Sequence, residues 1–167
     1  LPEIALTSQI IERLRRHFGN NTGIYHSKMT LRERLRVWER VNRDNDENSL
    51  NLVLGVRSSV FLPFARLGLI IVDEEHDPSF KQYDPAPRYH ARDTAMILSR
   101  LHGAKTLLGS ATPAVESYYN AVTGRYGLVS LTTRYGDVKL PQIILSDMRF
   151  LLRNRKQASN YSRLLLD

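Results

Sequence analysis

Apolar positions in this chain alternate between helical spacing and short, strand-sized runs. Thr7 or Ser8 is placed to cap a helix whose apolar face is Ile10, Ile11, Leu14 and Phe18, with Gly19 as its stop. A short strand near Gly23 to Tyr25 follows. Thr30 and Glu33 then form a capping box, in which hydroxyl and carboxylate each satisfy a free helix N–H. Leu31, Leu35, Trp38 and Val41 fall at helical spacing behind it and predict the buried face. That leaves Arg32, Arg36, Arg40 and Arg43, with Glu33 and Glu39 interleaved, to a largely solvated one.

The polar cluster Asn42 to Ser49 reads as a loop and Leu50 to Val56 as a strand. Leu69 to Val72 is apolar throughout, as expected of a strand buried on both faces. Asp77 to Arg88 holds three prolines and no periodicity, which predicts a structured loop. A helix from about Tyr89 to Leu101, a strand from Ala104 to Leu108 and a helix opened by Thr112-Pro113 complete the pattern. Strands alternating with helices imply an α/β fold, mostly a parallel sheet with helices on both faces. Ligands of such sheets sit outside the carboxyl ends of the strands, so Asp73, Glu74 and Ser110 are expected at one edge. The stretch from Arg153 onward loses the pattern and reads as a tail, and no internal repeat is found.

Composition narrows the partners. With 167 residues and 42% hydrophobic, the chain suffices for one core. Its 24 Lys and Arg against 17 acidic residues leave +7, a surplus that favours a polyanion such as nucleic acid. The absence of Cys excludes disulfides and thiolate zinc sites within these residues. No apolar run approaches the roughly 20 residues of a spanning helix and no leader opens the chain, so a soluble, cytoplasmic protein without membrane partners is expected. A first residue Leu1, rather than Met, suggests a processed or excised piece.

The candidate chemistry lies where the run Leu69 to Val72 stops, at Asp73-Glu74-Glu75-His76-Asp77. Charge at the end of a buried strand is costly unless something cationic or catalytic awaits it. At a nucleotide, such an Asp holds Mg²⁺ through water while the next carboxylate orients or deprotonates the water that attacks the γ-phosphate. A solvated strand end with capping acids is the plainer alternative. A neighbouring strand ends in Gly109-Ser110-Ala111-Thr112-Pro113, with two hydroxyls.

The combination of D-E-E-H and G-S-A-T resembles motifs II and III of superfamily 2 helicases of the DEAH/DExH type. Leu1-Pro2-Glu3-Ile4-Ala5-Leu6-Thr7 is similar to their motif Ia, and Leu54-Gly55-Val56-Arg57-Ser58-Ser59-Val60-Phe61 to motif Ib; Tyr25-His26-Ser27 precedes a basic helix. With Arg88-Tyr89-His90-Ala91-Arg92-Asp93, the set resembles the primosomal protein N′ family of replication-restart helicases from Leu1 to at least Arg149. The resemblance implies a RecA-like P-loop NTPase lobe, incomplete at its N-terminus, over residues 1–149, with 150–167 leading toward a second lobe. It implies an ATP-dependent 3′–5′ DNA helicase that works in primosome assembly, with single-stranded and forked DNA and replication-restart proteins as partners and ATP and Mg²⁺ as cofactors.

By the same resemblance, Asp73 carries Mg²⁺, Glu74 activates water, and His76, Ser110 and Thr112 relay the nucleotide state to the DNA. Pro2, Glu3, Thr7, Arg57 and Ser58 touch the DNA backbone, for which hydroxyls, backbone N–H groups and Arg are suited. The loop bearing Phe80, Lys81, Tyr83, Arg88 and Tyr89 is similar to the aromatic-rich loop that couples DNA binding to hydrolysis, its rings stacking on bases or else packing the loop down. Val56 stands where the family usually has Thr, which removes one hydroxyl. None of the nine glycines is followed by Lys, so the phosphate-cradling motif is absent here. The resemblance puts it upstream of Leu1, with an arginine finger and zinc-binding cysteines beyond Asp167, and the isolated piece is expected to be inactive.

Two other classes remain open: a non-catalytic DNA- or primosome-binding module, and a metal-dependent nuclease built on the same acids. His17, His90 and His102 show no ligand spacing and suggest no further metal.

Overall fold

A computed structural model of the chain describes residues 1–2, 8–43 and 47–133. The chain divides into two units, Leu1–Gly127 and Leu128–Asp167. Every helix and strand below belongs to the first; in the second, residues 128–133 are described and carry neither. The expected boundary at 149/150 lies outside the described residues.

In chain order the elements are α1 (Ser8–Phe18), β1 (Thr22–Tyr25), α2 (Leu31–Val41), β2 (Leu52–Gly55), β3 (Leu69–Asp73), α3 (Ala91–His102), β4 (Lys105–Gly109) and α4 (Val115–Val122), with 3₁₀ turns at Gly19–Asn21, Arg57–Phe61 and Pro78–Phe80. The strands pair in parallel, as alternation with helices requires. Thr22 to Tyr25 face Leu52 to Gly55, and Leu69 to Asp73 face Lys105 to Gly109. Among the described residues these are two separate two-stranded sheets rather than one.

The capping box starts α2: Thr30 Oγ1 accepts from the Glu33 N–H at 3.3 Å and Glu33 Oε2 accepts from the Thr30 N–H at 2.7 Å. Gly103, at φ 65°, ends α3 in the left-handed conformation that glycine adopts without steric cost. Gly55 answers a different need, because a Cβ there would lie 2.3 Å from Ser59 Cβ and 2.4 Å from its Oγ. The turn after β2 therefore closes directly over the strand.

Two cores form. Val72, Phe80, Ala91 and Ala95 make one between β3, α3 and the loop that joins them, with Ile70, Tyr89 and Leu108 packed around it. Val37, Val41 and Leu62 make the other, beneath α2.

Three expectations are corrected here. Leu31, Leu35 and Trp38 are exposed; of the predicted face of α2 Val41 is buried, joined by Val37, because the helix leans the flank of its apolar sector on the segment after β2. Leu69 and Ile71 are 52% and 57% exposed, so β3 is buried on the face that α3 covers and open on the other. The last helix begins at Val115 rather than at Thr112-Pro113: the Thr112 N–H is turned onto Ser110 Oγ, and the helix N-terminus finds its cap elsewhere.

Candidate active site at the strand ends

The ladder of β3 and β4 runs out with Asp73 opposite Gly109, which sets Asp73 and Ser110 side by side at one carboxyl edge. One more backbone bond extends it, from the Glu75 N–H to Gly109 O at 3.0 Å. Between them stands Glu74, at φ 49° and the one non-glycine residue with positive φ among those described. That left-handed step is a strained conformation for a side chain of this size. It ends the strand's alternation, leaving Asp73 and Glu74 exposed while Glu75 turns inward.

His76 joins the two strand ends. Its Nδ1 lies 2.6 Å from Ser110 Oγ and 3.5 Å from Glu74 Oε2, and its Nε2 lies 3.4 Å from Thr112 Oγ1. Ser110 Oγ also accepts from the Thr112 N–H at 3.0 Å. One imidazole therefore touches an acid of the first strand end and both hydroxyls of the second. Asp73 Oδ1 accepts from the Glu74 N–H at 3.1 Å and the residue is otherwise open to solvent.

Glu75 was not singled out by the sequence reading, yet it is 1% exposed and fully bonded. Its Oε1 accepts from the Ala114 N–H at 2.6 Å; its Oε2 accepts from Ser117 Oγ at 2.8 Å and from Arg92 Nη1 at 3.1 Å. This is the remote cap of α4. Burial alone would push its carboxyl up, but the bonds from Ala114, Ser117 and Arg92 outweigh burial and hold it below the ordinary glutamate value. The available signal was a third carboxylate at a strand end and an Arg in the segment that follows.

The loop after these acids is structured as expected. Asp77 caps the turn Pro78–Phe80 by accepting from the Ser79 N–H at 2.8 Å, and the returning limb closes through a bridge between Lys81 and His90. Phe80 corrects one assignment: at 4% exposure it is committed to the core and offers no face to a base. Tyr83, at 69%, is exposed, as is Arg88 on the returning limb. Tyr89 stacks edge-on against Phe61 with centroids 4.7 Å apart. Lys81 Nζ donates to Arg88 O at 2.7 Å.

Arg57 ties this loop to the turn after β2, donating from Nη1 to Lys81 O at 2.9 Å and Ser79 O at 3.3 Å. A cavity of about 190 Å³ opens there, lined by Ser27, Arg57, Ser58, Gln82 and Tyr89 among others. Val56, where a hydroxyl was missed, is buried at 6% exposure. Pro2 is buried, beside a bond from the Leu1 amino group to Gly55 O at 3.1 Å. Glu3 and Thr7 lie outside the described residues.

The structure thus brings Asp73, Glu74, His76, Ser110 and Thr112 together, and gathers Arg57, Ser58 and the loop into a second cluster. Among the described residues no group of three His, Asp or Glu is placed to cage a metal, and no helix is long and apolar enough to cross a membrane.

No family model matches the chain. Three curated relatives share its sequence nearly end to end. It is 41% identical over 166 residues to the replication restart protein PriA of Chlamydia pneumoniae, covering 99% of the chain and 22% of the relative. Against PriA of Bacillus subtilis the figures are 42% over 154 residues, 92% and 18%. Against that of Rickettsia prowazekii they are 43% over 168 residues, 100% and 25%. The chain therefore spans a quarter or less of these relatives' length. Over the segment that it spans, the chain is similar to the replication restart protein PriA of all three organisms.

Proposed function

We propose that this chain is part of the first RecA-like lobe of an ATP-driven 3′–5′ DNA helicase, which acts in the cytoplasm at single-stranded and forked DNA with primosome and replication-restart proteins. The observation that carries the reading is the junction at the ends of β3 and β4, where His76 touches Glu74, Ser110 and Thr112 beside Asp73. A solvated strand end has no use for an imidazole locked between two strands.

Asp73 is the residue that would hold Mg²⁺. It is exposed and belongs to no cage of carboxylates, which suits an ion that keeps most of its waters and takes one or two protein ligands. The ion, when bound, neutralises charge on the triphosphate. Glu74, held outward by its left-handed backbone, orients the attacking water and takes its proton on the carboxylate. His76 reads any displacement of Glu74 and passes it to Ser110 and Thr112. On the other cluster, Arg57, Ser58, Lys81, Arg88, Tyr83 and Tyr89 take the phosphates and bases of a single strand, with Glu3 and Thr7 alongside, while buried Pro2 is withdrawn from that set.

The test uses the full-length protein with single-stranded DNA. Glu74→Gln should cut stimulated ATP hydrolysis by about 10²-fold or more while the affinity for a labelled strand, read by anisotropy, stays. Phosphate release at the wild-type rate would refute the assignment. Mg²⁺-dependent cutting of the labelled strand would show a nuclease, and DNA binding without any ATPase a docking module. The 167 residues alone should release no phosphate.

A further inference from the structure

His76 holds one side of the segment from Ser110 to Ala114, and the residue before it holds the other. Glu75 accepts from the backbone N–H of Ala114 and from Ser117 in the first turn of α4, so consecutive residues of one strand end grip the turn from both flanks. The same carboxylate binds Arg92, in the first turn of α3 and two residues beyond His90, where the 77–90 loop closes. Three moving parts of the proposed machine therefore meet on one buried side chain: the acids, the hydroxyl turn, and the return limb of the loop assigned to DNA.

A buried ion pair is poor evidence of stability, since packed apolar groups of equal size often do as well. What it provides is a fixed geometry that fails when any partner shifts. We infer that Glu75 is a positioning residue: paired with Arg92, it carries displacement of the 77–90 loop to the Ser110–Thr112 turn, and so sets how strongly DNA accelerates hydrolysis at Asp73 and Glu74. The inference rests on the function proposed above and adds to it the route between the two clusters. Arg92 reaches Glu75 with side-chain exposures of 12% and 2%, so the link is shielded from solvent screening.

The experiment compares basal and DNA-stimulated ATPase rates, and KM for ATP, in the full-length protein and its variants. Glu75→Gln keeps one carbonyl oxygen for the Ala114 N–H, puts an NH2 where Ser117 and Arg92 donate, and removes the negative charge that faces Arg92. It should lower the ratio of stimulated to basal rate by about tenfold, with KM for ATP and the basal rate near wild type. Ser117→Ala, which removes one hydrogen bond and leaves the ion pair, should lower the ratio by about threefold and serves where Glu75→Gln does not fold. Ser110→Ala should lower the ratio as well, and the Ser110→Ala/Glu75→Gln double variant should lose no more than the worse single one, since both act on one route. Equal loss of basal and stimulated rates in Glu75→Gln, or in Ser117→Ala where it stands in, would reduce Glu75 to a structural prop and overturn the inference. An unchanged ratio in these variants, with Ser110→Ala impaired, would overturn it while leaving the function standing. Absence of any ATPase in the full-length wild type would sink both.

Discussion

Gly55→Ala tests how the turn that carries Arg57 and Ser58 is built. The added methyl would sit 2.3 Å from Ser59 Cβ and 2.4 Å from its Oγ, against a normal carbon contact of about 3.5–4.0 Å. No rotamer of Ser59 relieves a clash with its own Cβ, so the turn Arg57–Phe61 must lift away from β2. Overpacking of this kind costs about 1–3 kcal/mol. Lifting the turn also puts at risk the bonds that Ser59 makes to Val56 O, from Oγ at 2.7 Å and from N–H at 2.8 Å, worth about 1 kcal/mol more. The expected loss is therefore about 2–4 kcal/mol, read by urea unfolding followed by circular dichroism. Ser59→Gly removes both atoms that the methyl would strike and leaves Tyr25 O as the next neighbour, at an ordinary 3.6 Å. On that background Gly55→Ala should cost under about 1 kcal/mol, a coupling of the size that contacting residues show. An equal penalty on both backgrounds would mean that the close approach is not what requires glycine here.

Glu74→Gly should stabilise the fold by about 0.5–1 kcal/mol, because glycine adopts φ 49° without the side-chain penalty, while removing the carboxylate assigned to water; a loss of stability in urea would contradict the strain. Phe80→Ala should cost about 3–5 kcal/mol by opening the core, whereas Tyr83→Ala should stay within about 0.5 kcal/mol in stability and weaken single-strand binding by about 1–3 kcal/mol in the full-length protein. The reverse pattern would exchange their roles. Stability should also fall with acid through Glu75: its lowered carboxyl contributes fully above the ordinary value of 4.5 and loses that contribution as pH drops through the folded-state value, so Glu75→Gln should flatten the decline. Parallel curves for variant and wild type would deny it.

Local signals were legible where local chemistry decides. The capping box at Thr30 and Glu33 and the left-handed Gly19 that stops α1 depend on a few neighbouring atoms, and each is read from its own residues. Sides of elements are decided at long range. Leu31, Leu35, Trp38 and Val41 make a sound helical stripe, yet α2 meets the rest of the fold through Val41 and Val37, which periodicity cannot rank above the other three. The two faces of β3 look alike in sequence and differ only because α3 covers one. Phe80 and Tyr83 stand three residues apart in one loop; the bond from the Phe80 N–H to Asp77 O at 3.2 Å belongs to the turn that carries that ring inward.

The run of acids after β3 shows most directly how like residues come to different ends. Two adjacent glutamates leave the same strand, one exposed and one 1% exposed. Had the strand simply continued, alternation alone would separate them, but neither would be held. The left-handed φ at Glu74 turns the chain so that the Glu75 N–H still reaches Gly109 O while the His76 ring swings over the end of β4. The strain at Glu74 is sustained because its neighbours are bonded on both sides: Glu75 by three donors beneath the turn, His76 by two hydroxyls above it. Both grips bear on the same turn, so substitutions at Glu75 and His76 are expected to act non-additively on the DNA-stimulated rate. In a double-mutant cycle on ATP turnover, Glu75→Gln and His76→Ala in the full-length protein should couple by about 0.5–3 kcal/mol, and strict additivity would show that the two grips work independently.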